Sequence, residues 1–140
     1  MSIALQTAGI HHLALRVTDL ARAHVFYGRT LGFPIVLETR DSFLALAGHT
    51  VLVIRRVQPE TTAGDRFDAS RVGLDHAALA CGSETELERT AAALDAAKVP
   101  STSLRFDPVL KRRYVAFTDP DGIAWEFYMA PELELAVADD

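Results

Sequence analysis

The chain has 140 residues, 24% of them charged and 49% hydrophobic, and carries a net charge of −5 at neutral pH. That length supports one compact domain, or two small half-domains sharing a core, without covalent staples, and the acidic balance argues against a nucleic-acid surface. A lone cysteine, Cys81, has no intrachain partner, and no apolar run approaches the ~18 residues that cross a bilayer. The expectation is therefore a soluble, cytoplasmic protein with no membrane contact, whose partner is a small molecule or a second copy of itself.

Residues 10–17 alternate as a half-buried strand does. His12, Ala14 and Arg16 share one face. His11, Leu13, Leu15 and Val17 take the opposite, more apolar face that should cover a helix. Thr18 and Asp19 offer capping side chains, after which Leu20, Ala23, Tyr27 and Leu31 recur at helical spacing until Gly32 ends the helix. Strands follow over 34–39, 43–47 and 51–57, with a turn at Gly48-His49. Phe26, Tyr27 and Phe33 read as core, and His24 and His49 as surface residues.

Residues 58–71 are polar and broken by Pro59 and Gly64, as a linker would be. The plan then repeats. A strand runs from Gly73 to about Cys81, whose thiol is expected to be buried and inert. Ser83 with Glu86 forms a capping box that opens a helix carrying Leu87, Ala91 and Leu94 on one face, and Pro100 stops it. Strands over 101–106, 113–118 and 123–129 complete the copy, the last two joined by the turn Asp119-Pro120-Asp121-Gly122. The fold class is thus α+β: two βαβββ modules, 8–57 and 72–130, forming a curved, mostly antiparallel sheet around a cavity, followed by an acidic tail over 131–140. Neither copy can bury both faces of its sheet alone, so the two should pack together or pair with another chain. The concave space between them is the expected ligand site.

On the strand of the second copy His76 lies with Ala78 and Ala80, small neighbours that leave room for a ligand. On the last strand Glu126 shares its face with Ala124 and Tyr128, while Ile123, Trp125, Phe127 and Met129 supply the apolar face. A carboxylate in such a strand is costly to bury unless paired, hydrogen-bonded or bound to a metal. Two neutral imidazoles and one carboxylate suit Fe(II), and also Mn, Ni, Co or Zn, with positions left open for water or substrate. The same residues also read as ordinary hydrogen-bonded His and Glu, and spacing alone leaves both readings open.

The segment Ile10-His11-His12 through Val17-Thr18-Asp19-Leu20, then Phe26-Tyr27 and Leu31-Gly32-Phe33, resembles the opening of the vicinal oxygen chelate superfamily, which contains glyoxalases, extradiol dioxygenases and bleomycin- or fosfomycin-resistance proteins. The ending Thr118-Asp119-Pro120-Asp121-Gly122-Ile123-Ala124-Trp125-Glu126 is similar to its DPDG-x-x-x-E signature. The resemblance covers nearly the whole chain. It implies that a divalent metal ion, Fe(II) in the first instance, is held by His12, His76 and Glu126, that it acts as a Lewis acid toward vicinal oxygens of a small metabolite, and that the protein is a homodimer. Relatives that bind drugs without a metal imply the alternative, a small-molecule (antibiotic) binding or resistance protein without chemistry. A third reading is a vestigial site on a domain that acts through its dimer surface.

The chain departs from two of the family's patterns. Glyoxalase-type members place a further glutamate on the fourth strand of the first half, where this chain has Leu52 or Val53, depending on a one-residue gap. Extradiol dioxygenases usually carry a tyrosine where this chain has Ala116, and an acid-base histidine before the second ligand, which the linker lacks. Two other groups face the expected site: Arg16, beside His12, and Tyr128, beside Glu126, either of which would orient an anionic or phenolic substrate as a catalytic residue. Arg16 reads equally as an ion-pair partner at the strand end. The run Lys111-Arg112-Arg113 reads as a solvated loop or, more sharply, as an anion-binding lid. Phe43, Phe106 and Phe117 are candidates for an apolar pocket wall.

Overall fold

The computed structural model describes residues 1–131; the expected acidic tail, apart from Pro131, lies outside them. The chain divides into two compact units at Thr61/Thr62, and hydrogen bonding builds two four-stranded sheets, one per unit. Among the described residues no helix is long and apolar enough to cross a membrane.

The first unit runs β1 (His12–Val17), α1 (Leu20–His24), a π-helical turn (Val25–Thr30), β2 (Ile35–Glu38), β3 (Ser42–Ala47) and β4 (Thr50–Arg56). The strand order is β1-β4-β3-β2. β1 lies parallel to β4 and the other pairs are antiparallel. Leu15, Ile54 and Phe43 are cross-strand neighbours, all buried on one face with Val17 and Leu52. Closing that face, Ala23 and Tyr27 from the helical segment are buried to 2% and 0% exposure.

Asp19 caps α1 by accepting from the Arg22 amide at 2.9 Å. The expected single α-helix then widens: the Leu31 amide reaches the Phe26 carbonyl, five residues back, at 2.9 Å. A strict 3.6-residue period brings only one of two adjacent aromatics to the sheet, whereas the wider turn buries both Phe26 and Tyr27, rings edge-to-face at 5.0 Å. Gly28 in that turn leaves room for Ile35, since a Cβ there would stand 3.3 Å from its side chain.

The second unit runs β5 (Ala77–Cys81), α2 (Glu84–Ala96), β6 (Arg105–Asp107), β7 (Arg112–Thr118) and β8 (Ala124–Met129), in the order β5-β8-β7-β6 with β5 parallel to β8. Ser83 caps α2 by accepting from the Glu86 amide at 3.1 Å. Leu87 and Leu94 are buried, as are Cys81, Val115, Phe117 and Trp125. Each large side chain so buried contributes about 1.5–3 kcal/mol. The helix ends at Ala96, before Pro100 is reached: Lys98 turns left-handed at φ 58° and the Val99 amide returns to the Leu94 carbonyl at 3.0 Å.

Two further expectations are corrected. The strand over 101–106 shrinks to Arg105–Asp107, because the Thr102 hydroxyl accepts from the Ala116 amide at 3.1 Å and takes the place of a regular ladder bond. Strands β1 and β5 begin at His12 and Ala77, so His11 is exposed rather than facing the helix, and His76 stands just before its strand. Segment 58–71 has no helix or strand, yet its end is anchored: the Phe67 amide reaches the Asp121 carbonyl at 3.4 Å, and Arg66 lies against Gly122.

Candidate functional site

Alternation sets the site residues apart from the core. Along β1, Leu15 and Val17 are buried while His12, Ala14 and Arg16 are exposed. Along β5, Ala78 and Ala80 are exposed and Cys81 is buried, its thiol donating to the Ser83 carbonyl. On β8, Trp125 is buried and Glu126 faces away from it, with a side chain 18% exposed.

What delivers Glu126 to its place is the turn before β8. The Asp119 carboxylate, buried to 3% exposure, accepts from the amides of Asp121 and Ile123 at 2.9 and 2.8 Å, and Gly122 supplies the left-handed residue at φ 80°. β8 then lies between β5 and β7, so that Glu126 pairs with Ala78 on one side and Ala116 on the other. Both neighbours are small.

The ladders also settle the choice between Leu52 and Val53. In the second unit the residue two after His76, Ala78, pairs with Glu126; in the first, the residue two after His12, Ala14, pairs with Val53. On the far side Glu126 meets Ala116 as Val53 meets Leu44. Val53 is the counterpart of Glu126, and Leu52 points into the core at 0% exposure. The first unit therefore offers one imidazole and no carboxylate at that position.

Of the three residues implied as metal ligands, the second unit brings two together: His76 Nε2 stands 3.4 Å from Glu126 Oε2. Two atoms ligating one ion at about 2.1 Å stand roughly 3.0–3.4 Å apart for angles between right and tetrahedral, so this donor pair fits a shared cation. His76 Nδ1 meets Asp75 Oδ1 at 2.7 Å, the kind of outer partner that orients a metal-bound imidazole. The third residue, His12, belongs to the first unit and is exposed, its Nδ1 2.9 Å from that of His11. Among the described residues no group of three or more His, Cys, Asp or Glu side chains is gathered for a metal ion.

Tyr128 and Arg16 are both engaged. The Tyr128 hydroxyl donates to Asp107 Oδ2 at 2.9 Å, and its ring stacks on Tyr114 at 5.8 Å. Burial, the Asp107 hydrogen bond and the nearby carboxylates push the phenol up to about 12, so it holds its proton at neutral pH. Asp107 in turn accepts from the amides of Val109 and Leu110, and these bonds together with that from Tyr128 lower its own pKa. Arg16 donates to the Arg56 carbonyl at 2.7 Å. Arg113, from the basic run, is drawn to α2, with Glu84 at 2.6 Å and Glu88 at 3.4 Å; Lys111 and Arg112 are exposed.

Of the phenylalanines, Phe43 and Phe117 are core and Phe106 is 60% exposed. His24 pairs with Glu38 and sets its ring edge on Phe43, beside an open depression of about 370 Å³ under α1. Asp107 and Asp75 went unnoticed in the sequence. Asp107 precedes Pro108, a turn signal, whereas Asp75 is marked only by its place next to His76.

The family description "Glyoxalase/Bleomycin resistance protein/Dioxygenase superfamily" matches residues 9–127. Over 126 residues the chain is 32% identical to the uncharacterized protein YaeR of Escherichia coli (strain K12) and 30% identical to YwkD of Bacillus subtilis (strain 168), covering 85% of this chain and 94% of each relative. A glyoxylase/bleomycin resistance protein/dioxygenase domain from Frankia sp. EAN1pec superposes with a TM-score of 0.76 at 28% identity, over 89% of this chain and 99% of that one. With its two βαβββ units and the DPDG turn that seats Glu126, the chain belongs to the glyoxalase/bleomycin resistance protein/dioxygenase superfamily, the vicinal oxygen chelate proteins.

Proposed function

We propose that this chain is a divalent-metal enzyme of the glyoxalase/dioxygenase type that acts on a small, oxygen-rich metabolite, with His12, His76 and Glu126 as the protein ligands and Fe(II) as the favoured ion. The observation that carries the reading is the approach of His76 Nε2 to Glu126 Oε2 at 3.4 Å, on a sheet face whose neighbouring residues are alanines. A bound cation would supply Lewis-acid stabilisation of charge on chelating substrate oxygens. Because proteins of this family often form dimers, the functional unit is proposed to be a homodimer in the cytoplasm.

The chain's own groups divide the remaining work. Glu126 is the carboxylate that offsets the ion's charge. Tyr128, whose proton is directed at Asp107, acts as a neutral group that orients a substrate oxygen rather than as a base. Arg16, exposed on the His12 face, orients an anionic substrate group. Val53, which can neither bind a metal nor move a proton, argues for a three-ligand chemistry, oxygen insertion or a lyase or isomerase step other than that of glyoxalase I.

The same valine supports a second reading, a binding protein that sequesters an antibiotic or metabolite without chemistry. Elemental mass spectrometry of protein purified without a histidine tag separates the two. Near-stoichiometric metal that is lost in His76→Ala and Glu126→Ala is expected. Protein that takes up no added Fe(II), Mn(II), Ni(II), Co(II) or Zn(II), yet binds small molecules saturably, would replace the enzyme reading with the second one.

A further inference from the structure

We infer that the residue immediately before each proposed ligand histidine, His11 before His12 and Asp75 before His76, is a positioning residue that holds the ring at Nδ1 and leaves Nε2 as the metal-facing nitrogen. The inference rests on the metal reading above. In the second unit Asp75 Oδ1 stands 2.7 Å from His76 Nδ1, while Nε2 of the same ring is the atom directed at Glu126. In the first unit His11 Nδ1 stands 2.9 Å from His12 Nδ1, with the two rings edge-on at 87°. Each unit thus engages the same ring nitrogen of its histidine, using the preceding residue.

The two partners differ in what they allow. Carboxylates flank both ring nitrogens of His76 and only accept, but Asp75 stands at 2.7 Å from Nδ1 and Glu126 at 3.4 Å from Nε2, so the closer contact holds the proton on Nδ1 and leaves Nε2 for an ion on the Glu126 side. Between His11 and His12 two like nitrogens meet, and one must donate to the other. An ion on His12 Nε2 requires His12 to be the donor and His11 the acceptor, so this tautomer is selected only on binding. The second unit is pre-set and the first adapts, which makes Asp75 the more consequential partner. Its side chain is 77% exposed, so its removal should spare the fold.

The test uses full-length, metal-stripped protein titrated with Zn(II) against a competing chelator at one fixed pH, together with imidazole ¹⁵N NMR of the metal-free protein. In wild type, His76 should be the Nδ1–H tautomer. Asp75→Ala should lose that tautomer and about 10- to 100-fold in Zn(II) affinity, as removing the hydrogen-bond partner of a ligand histidine does. Asp75→Asn, which still accepts from Nδ1–H, should recover most of the loss, and His11→Ala should lose less than Asp75→Ala. Wild type that binds Zn(II) while Asp75→Ala keeps its affinity, or Asp75→Asn no better than Asp75→Ala, overturns the positioning role and leaves the metal reading standing. Wild type that takes no Zn(II) overturns both.

Discussion

Replacing Glu126 by the residue that occupies its place in the other half, valine, should move stability and metal binding in opposite directions. The Glu126 side chain is 82% covered, between Ala78 and Ala116, and its acidic contact is with His76 at 3.4 Å. Covering a carboxylate this far without full hydrogen bonding costs about 1–3 kcal/mol, which an unprotonated His76 Nε2 does not offset. Valine removes that cost and buries two methyl groups, so metal-free Glu126→Val should be more stable by about 1–2 kcal/mol, or roughly 3–8 °C in Tm for a chain of this size. With Zn(II) at about 100 times its Kd, wild type gains about 2.7 kcal/mol that the variant forgoes. Thermal melts in EDTA and in Zn(II) should therefore invert in order: the variant melts higher without metal, wild type with it. A variant that melts below wild type in EDTA would make Glu126 a satisfied structural partner, and equal Zn(II)-induced shifts in the two proteins would remove it from the ligand set.

Three other outcomes are expected. Val53→Glu should set a carboxylate beside His12 as Glu126 stands beside His76, lowering the metal-free Tm and tightening Zn(II) binding in a chelator competition; unchanged affinity would refute the equivalence of the two ladders. Because the fold raises the Tyr128 phenol from 10.0 to about 12, the unfolded chain gives up this proton first, so its contribution to stability is intact below pH 10 and is lost as pH rises to 12. Melts across that window should show this slope flattened in Tyr128→Phe. Lys98→Gly should stabilise by about 0.5–1 kcal/mol, measured by urea denaturation, since glycine relieves the left-handed residue at the end of α2 while loosening the unfolded chain.

Period-two alternation was enough to sort His12 from Leu15 and Glu126 from Trp125, because burial on a strand depends only on parity. Parity is also why the sequence left Leu52 and Val53 unresolved: a one-residue gap in a turn exchanges the two faces, and only the hydrogen-bonded register, Ala14 against Val53, decides. Leu20, Ala23, Tyr27 and Leu31 match an ordinary helical period, so nothing local revealed that burying Phe26 as well would widen the turn. Asp75 and Asp107 escaped notice because their roles are set by what they touch, His76 Nδ1 and the Tyr128 hydroxyl, and neither contact has a periodic signature.

The matched ladders have an evolutionary consequence. A sheet that seats valine in one half and glutamate in the other, in the same register, shows that the scaffold tolerates either residue at that position. Two of the four valine codons become glutamate codons by a single nucleotide change. After an ancestral duplication, a chemical group could thus be lost from one copy, or regained, by one mutational step while the other copy kept its own. Catalysts and mere binders built on this architecture would then lie one substitution apart.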